Sequence, residues 1–223
     1  MDSVNKRSKQ PVLVSDFDGT MTQYDFYQLA QQQLVPAETP DYWGEFLAGR
    51  LTHFAALQAI FRSIRADEAT IMATARQMQL DLHLCRDVAR LREAGWNIVV
   101  ASAGCAWYIQ RLVAEAGVEN LTVHANPGTV VPDRGLLMEP PVDSPFYSPE
   151  TGISKEAVVR NAVATHAQVA FAGDGRPDLP AAMLVPPERR FARGWLAEHL
   201  THEGIHFHRF DLWSEVVTSL LGG

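Results

Sequence analysis

Cysteine is scarce in this chain. Cys85 and Cys105 are the only two in 223 residues, too few for a disulfide framework, so a reducing, cytoplasmic setting is expected. Cys85 reads as a core residue on a helix. Positive charge is also in deficit: 19 Lys and Arg stand against 26 Asp and Glu, a net charge of −7. That balance excludes the basic face of a nucleic-acid binder and electrostatic docking on an anionic membrane. An anionic substrate would therefore need a local cation to reverse the sign at its site. Long apolar runs are missing, and none reaches membrane-spanning length. Met1 to Gln10 is polar and basic with no apolar stretch, which does not fit a signal peptide and predicts a frayed tail. No internal repeat or low-complexity tract occurs.

What is present is a normal apolar fraction, 47%, enough for a core, and a pattern of apolar runs ending in polar residues. Val12-Leu13-Val14-Ser15 reads as a buried parallel strand, and it stops at Asp16-Phe17-Asp18-Gly19-Thr20. Strand alternation puts Asp16 and Asp18 on one side. Neighbouring carboxylates repel unless a cation sits between them. Asp and Gly are also ordinary turn residues, so this stretch alone leaves a functional and a purely structural reading open.

The remainder of the chain alternates helix and strand. Tyr24 to Leu34 has helical spacing and is broken by Val35-Pro36 through Pro40. Thr52 is placed to cap a helix carrying Phe54, Leu57, Ile60, Phe61 and Ile64. Asp67 is placed to cap another, with Ile71, Met72, Ala75 and Met78 on one side. Roughly sixty residues without a strand is too many for one crossover, so 23–84 is expected to be a helical insert over the carboxyl end of the sheet. A helix from Cys85 to Ala94 ends at Gly95. A second strand follows from Trp96 to Ala101, leading into Ser102-Ala103-Gly104. A helix from Trp107 to Ala116 and a third strand, Leu121 to Val123, come next. Thr129 to Val131 and Leu136 to Met138 suit a hairpin around Asp133-Arg134-Gly135. Ser154 is placed to cap a helix that opens with Lys155. Val169 to Ala172 is a fourth strand, ending in Gly173-Asp174-Gly175-Arg176-Pro177-Asp178. Arg190 to Ala192 and His206 to Phe210 are the last strands, and Asp211 is the expected cap of a final helix. The class is α/β, a Rossmann-like parallel sheet between helices.

Acidic or hydroxyl-bearing residues thus fall at three strand ends: Asp16 and Asp18, Ser102 with Ala103 and Gly104, and Asp174 and Asp178. Lys155 opens the helix before the third of these. Loop composition explains any one of them, but explains their recurrence at strand ends poorly. Other features take the plainer reading. His206 and His208 share a face of an edge strand, with no acidic or Cys cluster to complete a metal site. His199 and His202 suit a helix C-terminus. Trp43, Phe46, Phe54 and Phe61 are mostly core of the insert, with one or two available to line a pocket.

The run Asp16-Phe17-Asp18-Gly19-Thr20 resembles the first motif of the haloacid dehalogenase (HAD) superfamily. The strand ending in Ser102 resembles the second, Lys155 the third, and Gly173 to Asp178 the fourth, so the likeness spans Val12 to Asp178. The insert resembles a C1-type cap (23–84), leaving 1–22 and 85–223 as a HAD-like core. The resemblance implies Mg²⁺-dependent phosphate transfer to and from Asp16 as nucleophile. Asp16 and Asp174 would hold the metal by side-chain oxygens and Asp18 by its backbone carbonyl. Asp18 would serve as acid and then base, and its presence argues against dehalogenation. Ser102 and the amides of Ala103 and Gly104 would bind phosphate, Lys155 would neutralise charge at Asp16 and the phosphoryl group, and Asp178 would hold Lys155 or a metal-bound water. The cap arrangement resembles the group containing phosphoserine phosphatase and the methionine-salvage phosphatase for 2-hydroxy-3-keto-5-methylthiopentenyl-1-phosphate. Nine residues after the nucleophile, where phosphoserine phosphatases usually carry Glu, this chain has Asp25. Ala103 likewise departs from the usual Ser-Gly-Gly of the second motif. The expected partner is a small phosphorylated metabolite. A phosphotransferase of the same fold and a non-catalytic ligand-binding member are the other classes to test.

Overall fold

A computed structural model describes residues 10–222; most of the expected tail lies outside them. In chain order the elements begin with β1 (Val12–Ser15), followed by four helices without an intervening strand: α1 (Phe26–Gln33), α2 (Tyr42–Leu47), α3 (His53–Arg62) and α4 (Glu68–Arg76). Then come α5 (Leu84–Glu93), β2 (Asn97–Cys105), α6 (Ala106–Glu115), β3 (Thr122–Asn126), β4 (Gly128–Val131), β5 (Gly135–Met138), β6 (Tyr147–Ser148) and β7 (Gly152–Ile153). The chain continues through α7 (Lys155–Thr165), β8 (Val169–Gly173), α8 (Leu179–Ala182), β9 (Arg190–Ala192), α9 (Gly194–His202), β10 (His208–Arg209) and α10 (Trp213–Gly222).

Six strands form one parallel sheet in the order β10-β9-β8-β1-β2-β3. β1 is central, paired with β2 and β8, and every residue in it is buried. Its period-2 alternation divides the core in two. Leu13 joins one apolar cluster with Val88 and Leu91 of α5, Ile109 and Leu112 of α6, and Val216 of α10. Val12 and Val14 join another with Val158 and Val159 of α7 and Leu196 and Leu200 of α9. Both faces are therefore covered, as a parallel sheet requires.

Of the four helices between β1 and α5, α3 and α4 begin where their caps dictate. Thr52 accepts from the Ala55 amide and Asp67 from the Thr70 amide, satisfying first-turn donors. The chain entering and leaving this helical stretch runs side by side, with a bridge between Thr22 and Leu80 and the Asp81 amide donating to the Met21 carbonyl at 2.9 Å. The β4–β5 hairpin packs under α3. At Gly135, φ is +77° and an added Cβ would lie 2.5 Å from the Phe61 carbonyl oxygen.

Two local expectations are corrected. Cys85 is exposed: the buried stripe of α5 is Leu84, Asp87, Val88 and Leu91, and Cys85 lies one position off it. Asp211 does not cap α10. The Ser214 amide is taken by Asp81 Oδ2 at 2.9 Å, a carboxylate more than a hundred residues away in sequence. Both cysteines are free, and among the described residues no helix is long and apolar enough to cross a membrane.

Candidate active site

β1 delivers Asp16 to the carboxyl edge of the sheet at its centre. The Asp16 amide still bonds the Ala172 carbonyl of β8 at 2.9 Å, after which the chain turns sharply. Gly19 makes that turn with φ +69°, and a Cβ there would sit 2.4 Å from Asp174 Oδ2, so only glycine lets the first and fourth motifs approach. Thr22 Oγ1 accepts from the Gly19 amide at 3.1 Å and Thr20 Oγ1 donates to Asp174 Oδ1 at 3.1 Å. The two threonines thus hold the loop and Asp174 in register.

Lys155, the first residue of α7, is buried. Its ammonium lies 2.7 Å from Asp16 Oδ1 and 2.7 Å from Asp178 Oδ1. Asp178 Oδ2 accepts from the amides of Asp174 and Gly175 at 3.1 and 2.8 Å. One buried carboxylate therefore fixes both the lysine and the loop carrying Asp174, and neither of its oxygens is left over. Burial would pull the lysine's pKa down, but Asp16 and Asp178 more than reverse that and hold it above the ordinary lysine range, which favours its charged form.

Asp18 accepts from three groups. Tyr108 Oη donates to its oxygens at 2.8 and 3.0 Å, the Phe26 amide at 3.2 Å and Ser102 Oγ at 3.4 Å. Tyr108 was not among the residues singled out from sequence. It reads as an apolar-face aromatic of α6, and only the depth of that helix against β2 brings its hydroxyl to Asp18 and to the Cys105 amide, 3.2 Å away. β2 itself runs to Cys105 rather than stopping at Ala101, so Ser102, Ala103 and Gly104 lie on the strand's end. Ser102 Oγ accepts from the Gly104 amide at 2.9 Å, which engages one of the amides expected to meet phosphate. Behind this loop, Asn126 donates to the Ala103 carbonyl at 2.7 Å.

Asp16, Asp18, Asp25, Ser102, Ala103, Gly104, Lys155, Asp174 and Asp178 all line one cavity of about 370 Å³. The helical stretch supplies its far wall with Tyr27, Trp43, Phe46, His53, Leu57 and Phe61. Of the four aromatics expected to form that stretch's own core, Trp43, Phe46 and Phe61 line the cavity. Asp25, just before α1, accepts from Gln28 at 3.0 Å. Burial raises the carboxyls of Asp16 and Asp25 to about 7, with Lys155 opposing the shift at Asp16 and the charge of Asp18 adding to it at Asp25. Burial and then the charges of Asp16 and Asp178 drive Asp174 well above its ordinary value. Acids crowded into one cavity in this way are short of positive charge.

A family model described as haloacid dehalogenase-like hydrolase matches residues 13–183. The chain belongs to that family. This HAD-like hydrolase is 22% identical over 218 residues to a 2-hydroxy-3-keto-5-methylthiopentenyl-1-phosphate phosphatase from Brevibacillus brevis, a match covering 96% of each chain. Among solved structures it resembles a HAD family hydrolase from Salmonella enterica serovar Typhi, with a TM-score of 0.68, 18% identity and coverage of 92% of this chain and 68% of that one. It also resembles a phosphoserine phosphatase carrying a phospho-aspartyl intermediate analogue, with a TM-score of 0.62, 14% identity and coverage of 95% and 99%. At these identities the two structures establish the HAD-like fold of the sheet and its flanking helices.

Proposed function

We propose that this HAD-like hydrolase is a Mg²⁺-dependent phosphatase that cleaves a small, acyclic phosphomonoester through an aspartyl phosphate on Asp16. The observation that carries this reading is the Lys155 ammonium, seated 2.7 Å from both Asp16 and Asp178 in a cavity shared with Asp18 and Asp174. The donors fit a hard cation. Asp16, Asp174 and Asp178 each offer an oxygen within 4.8 Å of the others, and Mg²⁺ prefers oxygen ligands. Because both oxygens of Asp178 are already engaged, Asp16 and Asp174 would be the side-chain ligands, with Asp18 contributing its backbone carbonyl and Asp178 in support. When bound, the ion supplies the charge neutralisation that lets a carboxylate approach a phosphate dianion.

The chain's own groups do the rest. An Asp16 oxygen attacks phosphorus while the ester P–O bond breaks, and Asp18 gives its proton to the departing alkoxide. Asp18 then takes a proton from water as that water attacks phosphorus, freeing Asp16 and inorganic phosphate. Lys155 holds positive charge beside the reacting carboxylate throughout, and Ser102 with the Ala103 and Gly104 segment receives the phosphate. Residues 23–84 act as the cap over a core made of 1–22 and 85–223, and the cap selects the leaving group because the core residues recognise only phosphate and metal.

The substrate we favour is 2-hydroxy-3-keto-5-methylthiopentenyl-1-phosphate, on the Brevibacillus brevis likeness and on Asp25, whose short side chain reaches less well than Glu toward an amino-acid ammonium. The test is a hydrolysis screen over small phosphomonoesters, that compound and phosphoserine included, with Mg²⁺ and no added alcohol. Phosphate release that disappears in EDTA is expected, with phosphoserine a poor substrate. A wide preference for phosphoserine overturns the substrate, and a need for an acceptor alcohol turns the reading to phosphotransfer. Full activity of verified metal-free protein removes the mechanism.

A further inference from the structure

The cavity wall facing the carboxylates is largely apolar, built by Trp43, Phe46, Leu57 and Phe61, with Tyr27, Gln28 and His53 as its polar members. His53 opens α3 and is 8% exposed. Its place is fixed from two sides. Its amide donates to Glu150 Oε1 at 3.2 Å. Its ring lies edge-on to Trp43, with centroids 5.5 Å apart at 73°, and to Phe46, at 5.2 Å and 85°. Nδ1 is buried with no hydrogen-bond partner, a condition shared among the described residues only with Asn126 Oδ1. A buried polar atom left unpaired costs about 1–3 kcal/mol. Nδ1 itself is closed off, whereas Nε2, likewise without a hydrogen-bond partner, keeps accessible surface and is the nitrogen a ligand in the cavity can reach.

We infer that His53 sets specificity: its imidazole hydrogen-bonds an uncharged oxygen, a carbonyl or hydroxyl, carried by the leaving group of the phosphomonoester beyond the ester oxygen. The inference rests on the phosphatase reading above. Burial, with the Lys155 charge second, pushes the imidazole down to about 3, so it meets the substrate neutral. A neutral imidazole has one N–H and one bare nitrogen and can donate to a carbonyl or accept from a hydroxyl. It offers no countercharge to a carboxylate, and the four apolar residues around it suit an apolar chain end. The ligand class is a phosphomonoester with an oxygenated but uncharged carbon chain.

Butyl phosphate and 2-oxobutyl phosphate differ by that oxygen alone and make the test. The wild type is expected to prefer the oxo ester by about tenfold in kcat/KM, the value of one net hydrogen bond. His53→Phe keeps a ring between Trp43 and Phe46 and should bring the ratio to within about twofold, through loss on the oxo ester. His53→Gln, which restores a donor and an acceptor, should regain part of the preference. An unchanged ratio in His53→Phe overturns the inference. If the wild type cleaves neither ester, the phosphatase reading is left to the screen above, and the His53 ring ¹⁵N shifts decide the assignment in a titration with each ester. A response to the oxo ester alone upholds it, and no response, or an equal one to both, removes it. The same titration on the wild type decides the matter should His53→Phe not fold.

Discussion

The mechanism proposed above gives Asp18 two duties, acid and then base. Burial raises its pKa, while bonds from Tyr108, the Phe26 amide and Ser102 pull it back. Removing the Tyr108 hydroxyl therefore raises it further, because a donor to the ionised form is lost. Tyr108→Phe is expected to move the limb of the kcat/KM–pH profile that reports Asp18 to higher pH, with a loss in kcat of about tenfold. A profile that keeps its position would remove Tyr108 from the control of Asp18. Asp18→Asn should abolish leaving-group protonation, so in single turnover an aryl phosphate loses far less than an alkyl phosphate. Equal losses for both would argue against Asp18 as the acid. Asp16→Asn is nearly isosteric but a poor nucleophile and ligand, and it should remove turnover with the melting temperature little changed. Near-normal hydrolysis by this variant takes Asp16 out of the central role.

At the scale of elements, α3 is tied to segments outside the helical stretch. Its first three amides go to Glu150 Oε1, the Glu150 carbonyl and Thr52 Oγ1, and Gln58 reaches the Met138 carbonyl at 2.7 Å. The hairpin beneath it fits only because Gly135 has no side chain. Gly49 offers a control: its φ is +72° but nothing lies within 4 Å of an added Cβ. Gly49→Ala should cost about 1 kcal/mol from backbone strain alone, and Gly135→Ala a further 1–3 kcal/mol or so, because the Phe61 and Ile64 carbonyls cannot move aside. Urea denaturation of both variants measures the difference, and equal costs would mean that the hairpin gives way. These same elements mark what could be read from the chain. Thr52, Asp67 and Ser154 announced their helices because a cap is a local event between residues three apart. The strand ends with Asp16 and Asp174 were legible because an apolar run stopping at acids is a pattern along the chain. α2 escaped notice because six residues with Gly44 among them carry little periodicity. The Glu150 and Asp81 contacts at the starts of α3 and α10 escaped because they join segments 97 and 133 residues apart, and no local spacing encodes a partner at that distance. Tyr108 and His53 were hidden for the same reason: each looks like ordinary amphipathic-helix material until the fold decides what its polar atom faces.

On the scale of the whole molecule, a net charge of −7 is concentrated to a cost at one place. Asp16 and Asp25 rise from an ordinary 3.8 to about 7 when the protein folds. Between those values the folded state holds protons that the unfolded state has released. Stability therefore falls as pH rises through that window, and the full penalty is present above about 7. Lys155 and Arg193 act on these acids from the positive side and Asp18 and Asp178 from the negative; Asp174 lies beside Asp16, and Arg176 also lines the cavity, but the shifts stay upward. In EDTA the melting temperature should drop between pH 5 and pH 8. Millimolar Mg²⁺ should cancel most of that drop at pH 8 and do little at pH 5, where protons compete for the same oxygens. At a hundredfold excess over Kd the gain is about 2.7 kcal/mol, or roughly 5–10 °C for a domain of this size. Melting curves at pH 8 that coincide with and without Mg²⁺ would show that the cluster does not take the ion. A drop in EDTA without recovery would keep the buried acids as the source of the penalty and send the search for their countercharge to the substrate itself.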